Sequence, residues 1–557
     1  MGSGSPQEQN VIFWGAGATS KLGIRTTSSQ EEFVRCITGA GGPPDKPLRL
    51  RIREALGEDT GEKWHDALRD LITILGDNDA AYQSIHHIEA SQRAAMRRSW
   101  LSNAKDKDLD RRIIGLRLIY DWPALKSAVS ICPGNDTGRF KLNDLFNLLD
   151  MHIGPGSGFR APAPRVSTSA GSGEQFFDAR RLIGAKNALL MILIASFYID
   201  YQKCISSKQK VLRQYYEFAK LIGERMQDQA PNLARKYRLD DPGFYQGDVS
   251  FVSLNYDPIA LWIQFIANRD LNKGHDVPHA PGGDGPLHLF HDFGHLIPAR
   301  RIEKPKDSWP WYPLNEAAAQ RLNELEGQSS PKVRLTKFLF PHGCLCWREC
   351  PDCGKLSAFH GDQWKLNSPG LFPPPPLRVF DPKGCAGWIT GLELKARKEG
   401  KVDARKCLHC GTLTYTHHTQ AVMQSSFKPR PPSFIEEIQR DLRATTMRAS
   451  HIIFMGYSLP PDDVTYRAFF SARRQRGEPT VCCTVVDYEK GYSGWYRAAD
   501  LKELREKKKE SPINAACDIF GEKNVRFFGG GIPDVFLDRD KATSTKLKQL
   551  LDWSSVP

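Results

Sequence analysis

Six short apolar runs, spread along the chain and separated by helix-patterned segments, constrain its fold more than any other feature. They are NVIFW (10–14), VSFVSL (249–254), RLTKFLF (334–340), ASHIIFMG (449–456), TVCCTVVD (480–487) and NVRFFGG (524–530). Segments such as SFIEEIQRDLRATTMRA and DDVTYRAFFSARRQ lie between several of them, with apolar residues at three- and four-residue spacing. Strands alternating with helices imply a parallel sheet wound in both directions. More than two hundred residues separate the first run from the second. That stretch is mostly helical by pattern, as in EEFVRCIT, KWHDALRDLITILG, LNDLFNLLDMHI and RRLIGAKNALLMILIASFYIDYQKCI, with a Gly/Pro/Ser/Ala-rich loop at 154–174.

At 557 residues the chain has room for two or three domains with sizeable cores. Hydrophobic content of 40% and charged content of 25% fit a globular rather than a disordered chain. The longest apolar run, ALLMILIASFYI (188–199), is expected to be a buried core helix, too short to span a bilayer. The opening MGSGSPQEQN is polar and unlike a secretion signal. Thirteen scattered cysteines in such a chain suit a reducing cytoplasm better than a disulfide framework. The net charge of +13 permits a nucleic-acid or acidic partner, but it is spread over LRLRIR (48–53), LDRRIIGLRL (109–118) and KELREKKKES (502–511). No membrane partner is expected.

The second run stops abruptly on polar residues, LNYDP at 254–258. Pro258 opens a helix but cannot continue a strand ladder. Ligands of open α/β sheets bind at the carboxyl ends of strands, which makes Asn255 and Asp257 candidates for a site. The plainer alternative is that Asp257 caps the following helix. The first run leads directly into GAGATSKLG, placing Gly15 and Gly17 where bare backbone can approach a pyrophosphate at a helix N-terminus. The same G-x-G turn also occurs as a loop without a ligand. His342, in FLFPHGCLCW, stands at a strand end as Asn255 does, where a lone histidine is more often structural. Cys350-x2-Cys353 and Cys407-x2-Cys410 have the form of two knuckles that hold tetrahedral Zn²⁺ through four thiolates, and a glycine follows each second cysteine. A redox pair is the competing reading. Cys344 and Cys346 read as packed thiols, with ligation as the alternative. His288, His291 and His295 in LHLFHDFGH are spaced like metal ligands, but in Gly/Pro-rich surroundings that do not favour a helix. The expected fold class is thus α/β, a Rossmann-type doubly wound parallel sheet from 10–30, 245–343 and 421–557. A large helical insertion (31–244) and a small zinc-binding module (344–420) interrupt it.

Taken in order, GAGATSKLGI, a strand ending NYD, a strand ending HG before a CxxC, a second CxxC and MGYSLPPDD resemble the motifs of the sirtuin family. The resemblance covers about 10–30 and 245–530. It implies that Gly15, Ala16, Gly17 and Thr19 line a pyrophosphate, that Asn255 holds the nicotinamide ribose or a water, and that Asp257 contacts the nicotinamide carboxamide. It further implies His342 as general base, Gly456 and Ser458 on the adenosine side, and Asp487 at ribose or adenine. Two departures bear on activity. The chain reads GIRTTSSQ where protein deacylases continue GI with P-D-F-R, and THHTQAVMQSSFKPRPPSFIEE replaces their peptide-clamping V-x-F-G-E-x-L-P. Without that clamp water is the expected acceptor, as in the NAD-hydrolysing branch of bacterial anti-phage defence. Deacylase, ADP-ribosyltransferase and a non-catalytic NAD-sensing scaffold are the alternatives. Partners are expected at the helical insertion: a second copy, a helicase-like ATPase, an Argonaute-type protein or a phage component.

Overall fold

The computed structural model describes residues 9–39, 46–56, 68, 72, 120–162, 173–271, 287–294, 319–320, 323–324, 332–349, 356–358, 418–421, 432–460, 463–475 and 481–556. Eight strands build the main sheet: β1 Asn10–Trp14, β2 Val249–Ser253, β3 Leu287–Asp292, β4 Lys332–Leu339, β5 His451–Met455, β6 Cys482–Val486, β7 Trp495–Arg497 and β8 Val525–Phe528. Their order is β7-β8-β6-β5-β1-β2-β4-β3, and every pairing is parallel except β7 with β8. From β1 the chain fills one half of the sheet through β2, β3 and β4, then returns to build the other half from β5 outward. The order therefore reverses beside β1, an arrangement compatible with a Rossmann-like fold.

Residues of β1, β2 and β5 are buried along their whole length, as strands covered on both faces must be. Alternation along β1 shows the two layers. Phe13 packs edge-on against Tyr466 and Phe470, whereas its neighbour Trp14 meets Tyr215 on the opposite face. Among the helices, in chain order, are α1 Thr27–Thr38, α2 Trp122–Ile131, α3 Leu142–Ile153, α4 Ala179–Ser207, α5 Gln209–Lys236, α6 Ile259–Leu271, α7 Ser433–Arg448, α8 Val464–Gln475 and α9 Pro512–Phe520, with Tyr215 on α5. Tyr466 and Phe470 belong to α8, and Phe520 of α9 closes on Phe470 and Phe454.

The described residues of 31–244 fall into two groups. Helix α5 is a layer of the sheet itself: Tyr215 donates its hydroxyl to the Ala18 carbonyl, and Phe218 stacks on Phe536 at 4.3 Å. Helices α2, α3 and α4 form a separate cluster with α1. Aspartates start two of them, Asp121 accepting from the Ala124 N–H at 2.9 Å and Asp178 from the Arg181 N–H at 2.8 Å. The apolar run at 188–199 lies inside α4, which at 29 residues is longer than the run implied. By length and composition α4 could cross a membrane, but 81% of its most apolar window is buried within the protein.

Strand β3 was not anticipated. It places His291 in the core, stacked near Phe265 and Phe293 and 3.4 Å from the Asn268 amide. His295 lies outside the described residues, and among those residues no group of three or more His, Cys, Asp or Glu is placed to hold a metal. Edge strand β3 is tied inward by Lys337 of β4, whose buried ammonium bridges Asp292 at 2.8 Å and Asp441 of α7 at 2.7 Å. The four CxxC cysteines also lie outside the described residues. The strands that follow the two pairs in sequence, Leu356–Ala358 and His418–Ala421, both pair antiparallel with Gly343–Glu349, which ends just before Cys350, in one three-stranded sheet.

Candidate functional site

At the carboxyl edge of the sheet, where β1, β2 and β5 end side by side, lies a cavity of about 420 Å³. Its sheet-side wall consists of Gly15, Ala16 and Thr19 after β1, Leu254 to Asp257 after β2, and Gly456, Tyr457, Ser458 and Pro460 after β5. Its other wall comes from the helical cluster: Arg25, Thr27, Ser28, Gln30 and Glu31, then Lys141, Leu142, Asn143, Leu193 and Phe197. Seven of the residues expected at a site from sequence thus meet on one cavity: Gly15, Ala16, Thr19, Asn255, Asp257, Gly456 and Ser458. Gly17, His342 and Asp487 do not line it.

The glycines have a packing reason before any ligand is considered. A Cβ on Gly15 would lie 2.4 Å from the Gly456 carbonyl oxygen, and one on Gly456 would lie 2.2 Å from the Ala18 nitrogen. The two strand-end loops therefore touch through bare backbone, with the Gly17 N–H donating to the Gly456 carbonyl at 3.0 Å. Gly456 takes a φ of 61°, and Leu459 in the same loop takes 52°. A buried leucine in the left-handed region is an uncommon, strained conformation that surrounding structure must hold.

Asn255 is pinned from its nitrogen side, where Nδ2 donates to the Gly15 carbonyl at 3.1 Å and lies 3.4 Å from Thr19 Oγ1. Asp257 is 3% exposed and accepts from the Ile259 N–H at 3.2 Å, so it does cap α6 as the plainer alternative holds. It also lines the cavity, and the two roles coexist. Burial pushes its carboxyl up to about 6, against the Ile259 N–H, which favours the charged form. Asp200 of α4 adds a smaller repulsion in the same upward direction.

His342 is buried in the turn after β4, at the same edge of the sheet. Its Nε2 lies 3.1 Å from the Tyr466 hydroxyl, and its ring is 6.2 Å from that of Tyr256, the residue between Asn255 and Asp257. Asp487 is exposed at the end of β6, where its Oδ1 accepts from the Tyr488 N–H at 2.8 Å.

Four polar residues at or beside the cavity escaped the sequence reading. Arg25 forms an ion pair with Asp200 and donates its backbone N–H to the same carboxylate at 3.0 Å. Burial raises the Asp200 carboxyl to about 6 even with Arg25 beside it. Glu31 accepts from the Leu142 N–H at 3.2 Å and from Lys141 at 3.3 Å, which joins α1 to the start of α3. Gln30 accepts from the Ser196 hydroxyl at 2.7 Å. For two of them a signal existed. Gln30 shares the buried stripe of α1 with Phe33, Val34 and Ile37, and Asp200 closes the longest apolar run in the chain. Polar side chains in such positions need a partner or a task.

Fold and site together define an α/β protein with a ligand-sized, partly charged cavity where its mostly parallel sheet reverses order. No protein-family profile matches this chain, and no curated protein matches it either.

Proposed function

We propose that this protein hydrolyses NAD to nicotinamide and ADP-ribose, as its resemblance to sirtuins implies, and serves as the NAD-depleting effector of a bacterial anti-phage defence system. One observation carries the reading: seven of the residues matched to NAD-contacting motifs, Gly15, Ala16, Thr19, Asn255, Asp257, Gly456 and Ser458, converge on a single cavity at the reversal point of the sheet. A dinucleotide suits that place, with its pyrophosphate against the backbone after β1. The bond to be broken already has a good leaving group, because the pyridinium departs through an oxocarbenium-like state. The protein has to orient the ribose, exclude bulk water and accept one proton. Asn255, anchored through its amide nitrogen, offers its carbonyl oxygen to a ribose hydroxyl or the attacking water. The proposed general base is His342, since an imidazole, whose unperturbed pKa is about 6.5, suits that role at neutral pH. Its neighbour Tyr466 keeps its hydroxyl protonated, because burial holds that group well above its usual range.

Cys350, Cys353, Cys407 and Cys410 are the proposed ligands of a structural Zn²⁺, supported by the convergence of their flanking strands on Gly343–Glu349. The helical cluster is the proposed contact for a second copy or a partner protein. Purified protein should release nicotinamide from NAD without an acetylated peptide. Asn255→Ala and His342→Ala should each lower turnover by roughly 10²-fold or more. Release that requires the peptide would return the protein to the deacylases. Undiminished release by folded His342→Ala would remove the general-base assignment.

A further inference from the structure

Helix α8 begins just past the loop that lines the cavity after β5, and it reaches the turn that carries His342. Tyr466, in its first turn, is 4% exposed, and its ring meets Phe13 of β1 edge-on at 6.4 Å and His342 edge-on at 5.7 Å. Its hydroxyl lies 3.1 Å from His342 Nε2, with both groups buried. Asp463 ties the start of the helix to the cavity wall. Its carboxylate accepts from the Tyr457 hydroxyl, and its carbonyl accepts from the Arg467 N–H at 3.2 Å. Tyr466 is thus packed on β1 at one side and anchored beside the wall loop at the other.

A neutral imidazole carries hydrogen on one ring nitrogen and a lone pair on the other, and the bond made at one decides the state of the other. Nε2 of His342 faces Tyr466, so a base at this position presents Nδ1 to the reacting group. Nδ1 holds a lone pair only if Nε2 holds the hydrogen, and that buried N–H then requires an acceptor. We propose that Tyr466 is a positioning residue: its hydroxyl oxygen accepts the His342 Nε2–H and so fixes the tautomer whose Nδ1 takes the proton. In that step the O–H bond of the attacking water or ribose hydroxyl breaks, its electron pair stays on oxygen, and an N–H bond forms at Nδ1. The imidazolium keeps the same Nε2–H···O bond, now charge-assisted and stronger. Tyr466 keeps its own proton throughout, because burial holds the phenol well above its usual range. The inference rests on the NAD reading, which makes His342 the base, and adds the group that sets that base.

Tyr466→Phe removes one oxygen and keeps the ring against Phe13. It should lower kcat for nicotinamide release from NAD about 10-fold, the scale of one buried hydrogen bond, with KM and the unfolding temperature nearly unchanged. The readout that packing alone would not move is the tautomer. Nitrogen NMR of the full chain carrying isotope-labelled histidine reads it, with the His342 signals assigned by their loss in His342→Gln. With the ring neutral in the wild type, Nε2 should show the shift of a protonated nitrogen and Nδ1 that of a lone-pair nitrogen. In Tyr466→Phe the two shifts should move toward each other as the tautomers exchange. Hydrogen on Nδ1 in the wild type would make Tyr466 the donor and overturn the inference, whether or not Tyr466→Phe folds. An unchanged kcat, a loss confined to KM, or a Tyr466→Phe spectrum identical to the wild type would overturn it too. Each of those results leaves the NAD reading standing. If the wild type releases no nicotinamide from NAD, both fall.

Discussion

Burial holds the carboxyl of Asp257 up at about 6, and its surroundings give that value a consequence for ligand binding. The carboxylate form accepts a hydrogen bond from a carboxamide, whereas the protonated form loses that capacity on one oxygen. NAD affinity should therefore hold above about pH 6 and fall below it, approaching a tenfold loss per pH unit as protonation competes with the ligand. Asp257→Asn keeps an acceptor oxygen but does not titrate, so its weaker binding should show no such slope. Calorimetry across pH 5 to 8 reads binding alone, apart from any effect of pH on turnover. A slope that survives in Asp257→Asn would assign the titration to another group. Asp257 was legible at the residue scale because a carboxylate at the tip of an apolar strand is conspicuous. Gln30 gave a weaker signal, a polar residue in an apolar helix stripe, because its place at the cavity depends on which helix faces it.

Helix α4 illustrates how an element far from the glycine turn in sequence becomes part of the same site. Its charged contact is Asp200, paired with Arg25 and close enough to Asp257 to oppose that group's ionisation. Asp200→Asn removes a like charge and leaves the Arg25 guanidinium uncompensated beside the cavity. Both changes favour ionised Asp257, so the acid limb of NAD binding should shift to lower pH than in the wild type. The measurement is the same calorimetric pH series, and an unmoved or raised limb would remove α4 from the electrostatics of the site. At this scale the sequence was informative about strands and less so about contacts. Runs at 10–14, 249–254, 449–456, 480–487 and 524–530 each contain one of the observed parallel strands, and the run at 334–340 overlaps another, Lys332–Leu339. Strand β3 was missed because LHLFHD mixes polar and apolar residues within Gly/Pro-rich flanks, and β7 because it is only three residues long. Arg25 meets Asp200, and Gln30 meets Ser196, only through tertiary packing, which local periodicity does not encode.

Across the whole molecule the proposed catalytic edge and the proposed zinc module are joined by continuous backbone. Strand β4 ends at Leu339, His342 occupies the following turn, and strand Gly343–Glu349 begins at once. Gly343 closes that turn with a φ of 77° and donates its N–H to the Phe340 carbonyl at 2.9 Å. Two residues on, the Leu345 N–H donates to the carbonyl of Tyr256, between Asn255 and Asp257. The strand that both neighbours of the CxxC pairs join is therefore hydrogen-bonded to the loop carrying the candidate site. If Cys350, Cys353, Cys407 and Cys410 hold one Zn²⁺ per chain, removing it should loosen this strand and the positions of His342 and Tyr256 together. Elemental analysis should find one zinc per chain. Chelation should lower the unfolding temperature, and hydrogen exchange at 340–346 and 254–257 should rise in parallel, whether or not NAD is present. Activity should fall with that exchange because the zinc acts through the strand rather than at the reacting atoms. Cys350→Ser should reproduce the chelated state. A well-folded protein without zinc would refute the metal assignment, and metal loss that leaves exchange at 254–257 unchanged would break the proposed link between module and site.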